Sequence, residues 1–66
     1  MEVLMPNPER IVETLMRWPG LDDDELSKRS GVEPRQQVNQ ICRFLEATGK
    51  LTRRIGSEGK IVNRLT

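Results

Sequence analysis

The stretch that most restricts the fold of this chain runs from Leu21 to Gly49, where two helix-start signals stand close together with a glycine between them. Asp22 is a good N-cap, and Glu25 three residues on can close a capping box. Leu21 before the cap can staple onto Leu26. Asp23 and Asp24 sit favourably at the positive end of the helix dipole. This helix is expected to reach about Ser30, where Gly31 supplies the left-handed position that ends it. Val32 is placed to plug the gap before the next helix, which Pro34 is expected to open at its first position. Val38, Ile41, Cys42 and Leu45 then fall at i, i+3, i+4 and i+7, a core-facing stripe. Gly49 ends that helix. Two helices joined by so tight a turn must cross and share one apolar junction.

The flanks complete a single domain. Pro8 suits the start of a first helix, in which Ile11, Val12, Leu15 and Met16 form one apolar stripe before Pro19-Gly20 stops it. Residues 1–7 read as an N-terminal arm. After Gly49 the period changes. Leu51 to Ile55 and Ile61 to Leu65 flank the turn sequence Gly56-Ser57-Glu58-Gly59, which reads as a β-hairpin. Two registers are open. Pairing Ile55 with Ile61 puts Leu51, Ile55, Ile61 and Leu65 on one face, whereas pairing Ile55 with Lys60 brings Val62 in instead. The first buries more apolar surface and is preferred. The expected fold is mainly α with a small β-hairpin: helices at about 8–18, 22–30 and 34–48 and a hairpin at about 51–65. With 66 residues, a chain of this size has little interior to spare for an enclosed active site.

The chemistry lies on the outer face of the third helix. Successive residues turn by about 100°, so Gln36, Gln40, Arg43 and Ala47 point away from the apolar stripe. Gln37 and Asn39 lie on the flanks, and Arg35 sits in the first turn within reach of a neighbouring phosphate. Gln and Asn amides pair a donor with an acceptor, as the major-groove edge of adenine does, and the Arg fork matches guanine. A face needed only for solubility would more often use Glu and Lys. This one has no acid before Glu46. The alternative is an ordinary solvated face. Charge is divided unevenly along the chain. Residues 1–33 carry four basic and eight acidic side chains, net −4, and residues 34–66 carry seven and two, net +5. A polyanion would approach the second half. Lys50, Arg53, Arg54, Lys60 and Arg64 lie in or beside the hairpin, with Ser57 and Lys60 at its tip and Arg54 on its strand as backbone contacts. A charged edge that blocks aggregation is the competing explanation.

Other residues that invite a function have plainer explanations. Helix capping accounts for Asp22-Asp23-Asp24-Glu25 without a metal, and the spacing of a calcium loop is missing. Cys42 is expected to be a buried small hydrophobe. The chain has no histidine to act as a base for a catalytic thiol, and Gly56-x-x-Gly59 is a hairpin turn. No enzyme and no cofactor are expected. Trp18 is expected at the core or its edge. Phe44 is expected to pack against the first helix or the hairpin, the alternative being an anchor for a partner. A lone cysteine and the lack of a long apolar run suit a cytoplasmic protein with no signal peptide or membrane span.

Asp24 to Val32, Val38 to Gly49 (VNQICRFLEATG) and Leu51-Thr52-Arg53-Arg54 together resemble the winged helix-turn-helix DNA-binding family over nearly the whole chain from Pro8. They resemble its second helix and turn, its recognition helix and its first wing strand, respectively. Phe44 departs from the pattern, which would have a polar residue there. The resemblance implies base contacts from Gln36, Gln40 and Arg43 and backbone contacts from the wing. Members of the family bind duplex DNA, RNA, Z-form duplexes or other proteins. The expected function is sequence-specific binding of double-stranded DNA by a small transcriptional regulator, nucleoid-associated if prokaryotic. A protein-interaction module and an RNA or non-B duplex binder are the alternatives. One module this small binds weakly alone, so a homodimer or a second DNA-binding partner is expected.

Overall fold

The computed structural model describes residues 6–66, so the expected arm lies outside the described residues apart from its last two positions. Helix α1 spans Asn7–Arg17, strand β1 Leu21–Asp22, helix α2 Asp23–Ser30, helix α3 Arg35–Ala47, and strands β2 and β3 Leu51–Ile55 and Ile61–Leu65. The three strands form one antiparallel sheet in the order β1-β3-β2.

Each helix starts and stops for a local reason. Asn7 is already helical, so α1 opens one residue earlier than Pro8 suggested, with Pro6 at its cap. Asp22 caps α2 by accepting a hydrogen bond from the Glu25 N–H at 2.8 Å. The Glu25 carboxylate instead lies near Lys28 and Arg29, at 4.0 and 3.6 Å. Gly31 closes α2 with φ of 77°, a left-handed conformation that an L side chain resists. The turn is tied by two further bonds: the Ser27 hydroxyl donates to the Val32 carbonyl (2.7 Å), and the Val32 N–H donates to Ser30 Oγ (3.1 Å). Val32 is thereby turned into the core. Pro34 stands at the N-cap of α3 instead of inside it, with ψ of 175°, and the Glu33–Pro34 peptide is cis. Its carbonyl still accepts from the Gln37 and Val38 N–H groups, so the helix begins from it without containing it.

Ile11 and Leu15 of α1, Leu26 of α2, Val32, and Val38, Ile41, Cys42 and Leu45 of α3 meet Leu51 of β2 in one core. Full burial of an aliphatic side chain of this size contributes about 1.5–3 kcal/mol. The stripe expected on α3 is the buried one. Phe44 is a correction: expected to pack against α1 or the hairpin, it is 61% exposed. The core closes over the four stripe residues, and Phe44, turned away from them, is left outside. Trp18 sits at the margin, 40% exposed, with the Arg29 guanidinium 4.7 Å from its ring centre.

The hairpin adopts the preferred register, Leu51↔Leu65 through Ile55↔Ile61. The burial expected of that face is only partly realised. Leu51 is buried and Leu65 half-buried, whereas Ile55 and Ile61 are 75% and 43% exposed at the tip. Between the two ends the same face carries Arg53 and Asn63, also a cross-strand pair, and Asn63 is fully buried. Strand β1 was not anticipated. It is two residues long, too short for any alternation to be visible. It pairs with β3 through Leu21↔Asn63 and Asp22↔Val62 after Gly20 turns the chain at φ of 83°.

Cys42 is wholly buried. Burial, reinforced by the charge of nearby Asp23, pushes its thiol up to about 11. At pH 8 the native protein is therefore expected to react with a maleimide only as fast as it unfolds, and at once in denaturant. Immediate reaction of the folded protein would contradict this packing.

Candidate nucleic-acid interface

Helix α3 displays the side chains foreseen for its outer face. Gln36, Gln40 and Arg43 are exposed and Gln37 is half-buried. Among the described residues Arg43 makes no ion pair, and no carboxylate stands on that face until Glu46, whose Oε2 accepts from the Arg53 N–H at 3.2 Å. At the hairpin, Arg54, Ser57 and Lys60 are exposed. The tip is closed by the Gly56 N–H donating to the Lys60 carbonyl at 2.7 Å and the Gly59 N–H donating to the Gly56 carbonyl at 3.0 Å. Gly59 takes φ of 79°, so the tip keeps Ser57 and Lys60 outward without strain.

The other candidates are already engaged. Asn39, half-buried, donates from Nδ2 to Asp23 Oδ2 at 3.1 Å. Arg35 Nε lies 3.3 Å from Asp24 Oδ1, and Lys60 Nζ lies 3.8 Å from Asp22 Oδ2. Arg53, counted from the sequence with the basic residues of the hairpin, is turned inward. It forms a nearly buried pair with Asp23, in which the two side chains are 6% and 7% exposed.

Asp23 is the residue that sequence patterning missed. Its carboxylate accepts from both terminal nitrogens of Arg53 (3.0 and 3.2 Å), from Asn63 Nδ2 (2.8 Å) and from Asn39. Arg53 also donates to Asn63 Oδ1 at 2.8 Å, and Asn63 Nδ2 donates to the Leu21 carbonyl at 3.1 Å. No buried side-chain nitrogen or oxygen among the described residues lacks a partner. Burial alone would raise the Asp23 carboxyl, but the hydrogen bonds from Arg53, Asn63 and Asn39 outweigh it and hold the group below its ordinary value. Burial likewise works to lower the Arg53 guanidinium, and the bond to Asp23 and its charge carry it above the usual value. The one sequence signal for this cluster was Arg53 and Asn63 standing opposite each other on the otherwise apolar face of the hairpin. Among the described residues no three His, Cys, Asp or Glu side chains come together to hold a metal ion, and no helix is long and apolar enough to cross a membrane.

Three helices, a tight turn before the third, and a sheet whose β2–β3 hairpin stands beside that helix make a winged helix-turn-helix fold. A crystal structure of the PcaV transcriptional regulator from Streptomyces coelicolor in complex with its natural ligand superposes on this chain with a TM-score of 0.86 at 24% identity. The match covers 98% of this chain and 47% of that one, so this chain spans about half the length of the regulator it resembles. No protein-family model and no curated protein matches the chain.

Removing the Asp23 charge strands the Arg53 guanidinium, and breaking a buried pair in this way costs about 3–5 kcal/mol. Asp23→Ala is therefore expected to lose that much by chemical denaturation at pH 7, and a loss below about 1 kcal/mol would contradict the cluster. Because the folded carboxyl titrates below its ordinary 3.8, its stabilisation is complete above that value and is lost as pH falls through the folded value. The gap between wild type and Asp23→Asn should accordingly narrow only in acid below about pH 4.

Proposed function

We propose that this domain binds double-stranded DNA with sequence preference, as the reading module of a small transcriptional regulator. Helix α3 enters the major groove and the β2–β3 hairpin acts as the wing. The observation that carries this reading is the outward row Gln36, Gln40 and Arg43, free of carboxylates, on the helix held out beside an exposed basic hairpin. Two amides and a guanidinium suit adenine and guanine edges. Gln37 lies beside that row and reaches a neighbouring base or phosphate. Arg35, Arg54, Ser57 and Lys60 serve the phosphate backbone, which fixes register without reading sequence. Asn39, tied to Asp23, orients the helix. The likeness in fold to a transcriptional regulator supports the reading, and the regulator's greater length agrees with a module that works alongside further structure.

Such a module buries about 600–1,000 Å² on DNA. A second copy is therefore part of the proposal, on half-sites about 10 base pairs apart or a multiple of that. A cytoplasmic protein suits this role. Phe44, 61% exposed on α3, favours a second reading in which the helix docks on a protein partner.

Fluorescence anisotropy with random duplex DNA across a salt series tests the proposal. Affinity should fall steeply between about 50 and 200 mM salt. Arg43→Ala and Gln40→Ala should each reduce discrimination between a selected and a random duplex by about 1–3 kcal/mol. Arg54→Ala should weaken every sequence alike and flatten the salt dependence by about one unit of slope. No binding at low salt would leave the protein-partner reading. Tighter binding to RNA or a non-B duplex would replace B-form DNA as the target.

A further inference from the structure

The three consecutive aspartates at the start of α2 each meet a cation on a different part of the fold. Asp22 lies by Lys60 at the hairpin tip, Asp23 is buried with Arg53 of β2, and Asp24 lies by Arg35, the first residue of α3. These side chains line a single cleft between α3 and the hairpin. The buried pair is structural. The outer two are different in kind, because Arg35 and Lys60 are more than half exposed, at 67% and 58%, and stand where the proposed interface needs phosphate contacts.

Exposed ion pairs of this kind are weak and exchange readily. A phosphate can therefore draw Arg35 and Lys60 away from their partners. Both carboxylates still line the cleft. Asp22 is fixed by its cap bond to the Glu25 N–H, and Asp24 sits in the first turn of α2, next to the anchored Asp23. A phosphate entering the cleft meets two half-neutralised cations and two carboxylates that remain close to it.

We infer that Asp22 and Asp24 restrain the domain by suppressing its affinity for the DNA backbone in general. Every duplex offers the same phosphates, so the acidic pair lowers affinity for all sequences alike. Occupancy then depends on base contacts from Gln36, Gln40 and Arg43. This rests on the DNA-binding reading above and adds to it which residues oppose binding.

The test is anisotropy with random and selected duplexes, using Asp24→Asn and the double variant Asp22→Asn/Asp24→Asn. Asn is as good an N-cap as Asp, so α2 keeps its start, and circular dichroism checks that the fold is intact. Asp24→Asn should bind random duplex several-fold more tightly at low salt. Its plot of log affinity against log salt should be steeper by about one unit, and that of the double variant by about two, as each freed cation neutralises a phosphate. Discrimination between selected and random duplex should stay unchanged, because both gain alike. Arg35→Ala should weaken the wild type only modestly and abolish the gain in Asp24→Asn, since the two residues act as a pair.

Glu13→Gln on α1 makes the same change in net charge away from the cleft and should leave binding unchanged. An equal gain from Glu13→Gln would overturn the inference, because net charge alone would then suffice. If the wild type binds with a steep salt dependence and Asp24→Asn matches it, the inference fails and the DNA-binding reading stands. If neither the wild type nor the double variant binds random duplex at low salt, the DNA-binding reading fails and this inference with it.

Discussion

The Asp23 carboxylate holds the working parts of this small domain in register. It sits at the start of α2 and accepts hydrogen bonds from Asn39 on α3, Arg53 on β2 and Asn63 on β3. A charge this far from water is tolerable only when it is paired and its lone pairs are satisfied, and here they are. The requirement runs in both directions. Arg53 cannot turn outward without stranding Asp23, so the hairpin cannot swing freely from α3. Hydrophobic burial through Leu51 fixes the base of the hairpin. The polar cluster fixes its angle further out, where the core ends and Ile55 and Ile61 are exposed.

That arrangement changes the meaning of the charge distribution. Along the sequence the acids crowd into the first half and the bases into the second. In the fold the acidic run at Asp22, Asp23 and Asp24 lies against Lys60, Arg53 and Arg35. Much of the apparent positive excess is thus spent inside the molecule. Among the described residues Arg43, Lys50, Arg54 and Arg64 remain in that half without an ion pair. On the proposed reading, attraction to a polyanion then rests on fewer cations than the sequence offers, and base recognition on the amides and guanidinium of Gln36, Gln40 and Arg43.

Much of the fold could be read from local chemistry. The cap at Asp22, the left-handed stop at Gly31 and the stripe Val38–Ile41–Cys42–Leu45 each depend on residues within a few positions of one another, and each is found as expected. The hairpin register also followed, although the apolar face argued for it is interrupted by Arg53 and Asn63. What escaped depends on contacts between distant residues. Strand β1 exists only because β3 lies beside it. Asp23 looked like a helix-dipole residue because nothing near it in sequence reveals that Arg53 and Asn63 will arrive. Phe44 was expected to pack against the first helix or the hairpin, yet it is largely exposed. On the candidate interface, the sequence suffices to choose the outward face of α3. It cannot tell which basic residues keep their charge for a ligand, because pairing is a property of the assembled fold.

The most direct test of the account is a map of amide and side-chain NMR shifts in nitrogen-15-labelled protein on titration with duplex DNA. The side-chain amides of Gln36 and Gln40, the Arg43 backbone and the hairpin tip from 54 to 60 should move together, while the side chains of Asn39 and Asn63 stay in place. Shifts centred on α1, or a response in which Asn39 and Asn63 move while Gln36 and Gln40 do not, would contradict it.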